Sequence, residues 1–214
     1  MLKPAAYRSA FRRDIAALAT AARQDLTAAV PSCPGWNVAM LVAHLTGMYA
    51  HCTAQARARD ATTIEQGYEG QGLPAAYTEL FAYVFDKATP LTERSAPAIP
   101  PGLIDLFEQT AATMDDALGL LEPSTPIWTW WPPDQTPGFW QRRMAHETAI
   151  HRWDTELAYG TPTPPETIPA ADGVDENFDV IVIARLWQRT SADTLEVSGD
   201  ASLLRRYFEL IPPG

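Results

Sequence analysis

The sequence predicts an all-α protein, a helical bundle followed by a short α/β segment at its C-terminal end. Three observations carry this expectation. Apolar residues recur at steps of three and four through most of the chain. Prolines and glycines gather between those runs rather than inside them. Only one segment, "TLEVSG", reads as a strand, which is too little for a sheet. With 214 residues, 46% hydrophobic and 20% charged, the chain can bury one sizeable core and carry a small appendage. The expected division is a bundle over 1–165 and a C-terminal segment of helix, strand and helix over 166–214.

Each element has its own signal. Residues 5–29 place Tyr7, Phe11, Ile15, Leu18, Ala22 and Leu26 on one helical face. "VPSCPGW" ends that helix with two prolines and a glycine, and Asn37 supplies an N-cap for the next. The second helix runs to about Arg59 and turns Met40, Leu41, Leu45, Met48, Tyr49 and Cys52 inward. A polar, glycine-bearing loop is expected over 60–73. A shorter helix over 74–88 is opened by Pro74 in its first turn. A proline-rich connector leads to a helix over 103–121. The stretch "EPSTPIWTWWPPDQTPGFW" holds five prolines, too many for a central strand. A long helix over 138–159 stops at Gly160, and further helices are expected over 174–190 and 200–210.

Charge and composition exclude several functions. A net charge of −10 argues against a nucleic-acid backbone or an anionic membrane as partner. No run of 18 apolar residues exists to span a bilayer, and the N-terminus lacks a signal peptide's unbroken apolar stretch. Two cysteines, Cys33 and Cys52, cannot form a disulfide framework. A cytoplasmic location is the expectation. The cations are almost all arginine, with only Lys3 and Lys87 as lysines, a weak pointer to a GC-rich genome.

The stretch "RRMAHETAIHRWD", residues 142–154, raises the chemical question. Each helical residue turns 100°, so side chains four apart meet. Glu147 and His151 satisfy that spacing. His146 and His151, five apart, do not, so the His-Glu-x-x-His signature of zinc proteases is absent. Arg143, Glu147, His151 and Asp154 form one stripe. Four histidines are available in all, and His44 sits in an otherwise apolar helix whose face turns into the bundle. His44, Glu147 and His151 together make a three-ligand set with an open position, the arrangement of a catalytic metal. The plainer reading stays open: a Glu/His pair on a solvated helix contributes only ~0.2–0.5 kcal/mol and no chemistry. Arg143 either steers an anion or pairs with Glu147. His51 lines a pocket mouth or faces solvent. Trp140 and its neighbouring tryptophans wall a pocket or simply pack. Cys33, wedged before Pro34, reads as structural, because nothing nearby in sequence lowers its pKa.

"VPSCPGWNVAMLVAHLTGM", followed about a hundred residues later by "QTPGFWQRRMAHETAIHRWDTELAYG", resembles the mycothiol-dependent maleylpyruvate isomerase family. These are actinobacterial proteins of the DinB-like, four-helix-bundle superfamily, and the likeness covers roughly residues 5–175. The resemblance implies a divalent metal, usually zinc, held by His44, Glu147 and His151, the set that spacing also singles out. It implies mycothiol as the thiol cofactor or co-substrate, attacking an electrophilic small molecule in a cis–trans isomerase or an S-transferase. Asp154 would orient His151 from behind, and Arg143, His51 and Trp140 would contact substrate or thiol. The competing expectation is a non-catalytic bundle that binds a metal or small ligand. Family members carry a second α/β domain, of which "VIVIARLWQRTSADTLEVSGDASLLRRYFELI" resembles only the last part, so the C-terminal domain is expected to be truncated. A homodimer that covers the pocket follows as one expectation.

Overall fold

Residues 38–58 are apolar on nearly every side, and a helix of that kind has to be enclosed by others. The computed structural model describes residues 2–59, 75–86, 93–164 and Asp172. Within it, five helices follow one another: α1 (Pro4–Ala22), α2 (Val38–Ala58), α3 (Ala75–Phe85), α4 (Leu103–Gly119) and α5 (Pro137–Ala158). The four long ones form the bundle. α1 lies chiefly against α5 and α2 chiefly against α4, while short α3 rests on α2. This unit spans Leu2–Pro164. The expected helices over 174–190 and 200–210, the strand "TLEVSG" and the polar loop over 60–73 lie outside the described residues.

The predicted faces are the buried ones. Tyr7, Phe11, Ile15, Leu18 and Ala22 of α1 meet Leu41, Leu45 and Tyr49 of α2, Phe107, Met114 and Leu118 of α4, and Trp140 and Met144 of α5 in one core. Several polar groups inside it are bonded, as burial favours. The hydroxyls of Tyr49 and Thr148 lie 2.6 Å apart. Asp115 of α4 is bridged from α1 by Arg8 at 2.7 Å and Arg12 at 2.5 Å. Among the described residues no helix is long and apolar enough to cross a membrane.

Helix ends follow local chemistry. The Asn37 side chain accepts from the Met40 N–H at 3.0 Å and caps α2. Pro137 occupies the first turn of α5, and Gly160 follows its end with φ 74°, a left-handed conformation that suits glycine. The first helix departs from expectation: it stops at Ala22 rather than continuing to 29. Asp25 turns its carboxylate onto the Thr27 N–H at 2.8 Å and the Thr27 hydroxyl at 2.7 Å, a local bond that competes with the helix. Those bonds also hold the Asp25 carboxyl below its usual pKa. The Leu26 and Ala28 carbonyls then accept from Ala39 and Val38, at 2.9 and 3.0 Å, and Ala29 bridges Asn37 antiparallel. Leu26 therefore packs from the turn that Ala28 N–H closes onto the Asp25 carbonyl at 3.2 Å, not from the helical stripe.

Between that turn and α2, residues 30–36 make a tight loop. The Val30 N–H reaches the Trp36 carbonyl at 2.9 Å, Trp36 N–H reaches the Cys33 carbonyl at 2.9 Å, and Cys33 N–H reaches the Val30 carbonyl at 3.0 Å. Gly35 permits the turn with φ 83°. The tryptophan segment before α5 is irregular, as its prolines predict. It is knotted by Thr129 and Gln135, whose side-chain amide donates to the Thr129 carbonyl at 3.0 Å and the Trp131 carbonyl at 2.9 Å.

Core burial sets an alkaline limit. Cys52 and Tyr49 are completely buried, and desolvation pushes both pKa values well above the ordinary range. The unfolded chain ionises them first, so stability is intact below about pH 8.5–9 and falls as pH rises beyond it. Denaturant titrations from pH 7 to 11 should show this loss. A Cys52→Ala, Tyr49→Phe double variant should flatten the slope; an unchanged slope would remove these groups as its cause.

Candidate metal centre

The stripe on α5 is polar yet enclosed. Glu147 is 6% exposed, His151 4% and Asp154 0%. Such burial is costly unless each group has a partner. Arg143, one turn before Glu147, donates to its Oε1. His151 Nδ1 lies 2.9 Å from Asp154 Oδ2. The Ser32 hydroxyl donates to Asp154 Oδ1 at 2.5 Å. Arg143 therefore pairs with Glu147, the plainer of its two sequence readings.

α2 brings His44 to the same place. Its ring stands 5.3 Å from that of His151, edge to face at 81°. Donor atoms of His44, Glu147 and His151 all lie within 4.8 Å of one another. His151 Nε2 and Glu147 Oε2 are 3.5 Å apart. Two ligands on one tetrahedral zinc, with bonds of roughly 2.0–2.2 Å, stand about 3.3–3.6 Å apart. Glu147 Oε2 is buried and makes no hydrogen bond among the described residues. A cation or a bound water would satisfy such an oxygen.

The tautomer agrees. An ionised Asp154 can only accept, so His151 carries its hydrogen on Nδ1 and keeps the Nε2 lone pair for the Glu147 side. Two imidazoles and a carboxylate suit a borderline divalent ion such as zinc. The residues present fit the group. A second trio, Cys33, His151 and Asp154, also lies within 4.8 Å, with Cys33 Sγ 3.8 Å from Asp154 Oδ2. There the His151–Asp154 hydrogen bond already occupies the facing atoms, so the His44 set is the better cation site.

Aromatic rings wall His44. Trp36 meets its ring at 5.6 Å and 70°, and Phe85 of α3 at 5.5 Å and 37°. Gly47, one turn past His44, makes room for Phe85, since a Cβ there would run into the ring.

Two residues expected to contact substrate or thiol, His51 and Trp140, are enclosed by packing. His51 neither lines a mouth nor faces solvent: it is 6% exposed, with Trp140 at 5.9 Å and Trp128 at 6.5 Å, and its Nε2 sits 3.3 Å from Gln55. Seven residues put it about 10 Å further along the axis of α2. Trp140 has no exposed surface and donates its indole N–H to the Trp128 carbonyl at 3.0 Å. His146 points away from the cluster, against Tyr7 at 6.1 Å. Ser32, Trp36 and Phe85 have no signal of their own in the sequence. Only the placement of "PSCPGW" directly before the His44 helix hints at the first two.

Fold and site together define a class: an all-α bundle with a two-histidine, one-carboxylate cluster between two facing helices, Glu147 and His151 buried and His44 half-buried. The chain belongs to the family described as mycothiol maleylpyruvate isomerase N-terminal domain, whose model matches residues 7–156. That span runs from α1 nearly to the end of α5 and takes in all three donors. The helical fold is that of the DinB-like bundles. No curated protein and no solved structure matches the chain.

Proposed function

We propose that this protein is a metal-dependent enzyme that uses a low-molecular-weight thiol, mycothiol, as nucleophile toward an electrophilic small molecule, as an S-transferase or a cis–trans isomerase. One observation carries the reading: in a member of this family, His44, Glu147 and His151 converge on one point with a buried, unbonded carboxylate oxygen among them. These three residues would hold a divalent ion, zinc being the best match to the donors. When bound, such an ion lowers the pKa of a coordinating thiol, giving thiolate at neutral pH.

The chain's own residues supply the rest. Asp154 keeps the hydrogen of His151 on Nδ1. Arg143 fixes Glu147 through one oxygen, leaving the other directed at the histidines, and its charge favours an anionic substrate or thiol nearby. Trp36 and Phe85 limit water around His44. A cytoplasmic setting suits the two free cysteines. A homodimer that covers the site belongs to the same proposal.

The test is spectroscopic. Cobalt replaces zinc in the purified protein, and mycothiol is titrated in. A new sulfur-to-cobalt charge-transfer band, with shifted ligand-field bands, is the expected result. A cobalt spectrum indifferent to saturating thiol would sink the enzyme reading and leave a non-catalytic metal-binding bundle.

A further inference from the structure

The loop from Val30 to Trp36 touches the surroundings of the His44–Glu147–His151 set through Ser32, through Cys33, whose Sγ lies 3.8 Å from Asp154 Oδ2, and through Trp36, without contributing a donor to that set. At one end, the Ser32 hydroxyl donates to Asp154 Oδ1 at 2.5 Å while His151 Nδ1 donates to Oδ2 at 2.9 Å. The carboxylate is thus held from both sides, in a place with no exposure to water. At the other end, the Trp36 ring meets the edge of His44 at 5.6 Å. Three backbone hydrogen bonds and the left-handed Gly35 fix the loop internally, so the Ser32 and Trp36 contacts are set relative to one another.

We propose that this loop is the positioning element of the metal centre: Ser32, through Asp154, keeps the ring hydrogen of His151 on Nδ1, and Trp36 sets the ring plane of His44. Ser32 and Trp36 are positioning residues, not ligands. The inference rests on the reading of His44, Glu147 and His151 as a cation site, but its central consequence is visible in metal-free protein.

The physical reason lies in the imidazole. A neutral ring carries one hydrogen, and the nitrogen that bears it cannot ligate. The choice depends on what faces Nδ1. A carboxylate turns easily about its last torsion, which is broad and two-fold. With Oδ1 fixed by Ser32, Oδ2 stays on Nδ1 and Nε2 stays open toward Glu147. Without Ser32 that alignment loosens, and part of the ring population moves its hydrogen to Nε2, closing the face a cation needs. Outer partners of metal-bound histidines typically matter by about 10–100-fold in affinity. Ser32 is one bond further out, so the effect should sit near the lower bound of that range.

The experiment uses the full chain, labelled with 15N at histidine, in parent, Ser32→Ala, Ser32→Thr and Trp36→Leu forms. Ring 15N shifts of metal-free protein report the tautomer of each histidine, with His44→Ala and His151→Ala giving the assignments. Zinc affinity is measured beside them by chelator competition. In the parent, His151 should be the Nδ1–H form. Ser32→Ala should give a tautomer mixture and roughly 10-fold weaker zinc binding; Ser32→Thr, which keeps the hydroxyl, should restore both. Trp36→Leu should move the His44 resonances and weaken zinc while leaving the His151 tautomer alone.

A folded Ser32→Ala protein whose His151 remains entirely Nδ1–H overturns the proposal, whatever its zinc affinity. If that variant fails to fold, Ser32→Cys, similar in size and a weaker donor, is read the same way. Unmoved His44 resonances in Trp36→Leu overturn the part assigned to Trp36. A parent that binds no zinc but shows the expected tautomer change defeats the metal reading alone and leaves the positioning role of Ser32 standing.

Discussion

His44→Ala and His151→Ala should each abolish stoichiometric binding of a divalent metal, the largest functional effect of any single substitution here. Each removes one of three donors that lie within 4.8 Å, and two protein donors do not hold zinc against competing chelators. Elemental analysis of the purified proteins reads this directly, with near one ion per chain in the parent and none in either variant. Stability gives an independent reading. A ligand that binds only the folded state stabilises it by about 2.7 kcal/mol at a hundredfold excess over Kd. For a chain of this size that raises Tm by roughly 5–10 °C. Zinc should produce such a shift in the parent and none in the variants. Metal retained in both variants would show that the ion sits elsewhere, and the His44–Glu147–His151 reading would be abandoned.

These three residues are legible in the sequence for local reasons. Glu147 and His151 are four apart, and helical geometry alone makes them neighbours. His44 stands out because it interrupts an apolar face. Asp154 completes the α5 stripe at the next three-residue step. Local periodicity is what a sequence displays, and what stays hidden is non-local. Ser32 reaches Asp154 across 122 positions, and no spacing rule connects them. The early end of α1 depends on pairing of another kind. The segment over 26–30 meets the residues that open α2, and the Asp25–Thr27 bond tips the balance. Leu26 sits at the right helical spacing for the α1 face yet lies outside that helix. His51 illustrates the opposite case. Its seven-residue offset from His44 correctly puts both on one side of α2, but only tertiary packing shows that tryptophans enclose it.

Arg152→Met should be the most destabilising charge substitution in the bundle, by about 3–5 kcal/mol, because it takes the bonded cation from buried Glu156 and leaves buried Asp14 with only the more exposed Arg13, at 3.4 Å. Arg152 is 5% exposed and lies between Asp14 of α1, 5% exposed, and Glu156, 9% exposed. Its Nη1 donates to Glu156 at 2.8 and 2.9 Å, and its Nε stands 3.2 Å from Asp14 Oδ1, an ion pair rather than an aligned hydrogen bond. Glu156 also accepts from the Thr163 N–H at 2.7 Å, which ties the chain beyond α5 back onto the helix. A loss of that size is a large share of the roughly 5–15 kcal/mol that holds a typical domain together. It does not follow that the triad is a net source of stability. Desolvating charges is expensive, and uncharged replacements of similar volume are often neutral or better. The discriminating comparison is a triple variant, Asp14→Leu, Arg152→Met, Glu156→Gln, in which the glutamine still accepts from Thr163. Denaturant unfolding should show the single variant far below the parent and the triple variant near it. Equal losses in both would mean that the ion pairs themselves, not the stranded charges, carry the energy. Zinc affinity of the folded Arg152→Met protein should match the parent, since residues 151 and 152 are 100° apart on the helix and face different neighbours.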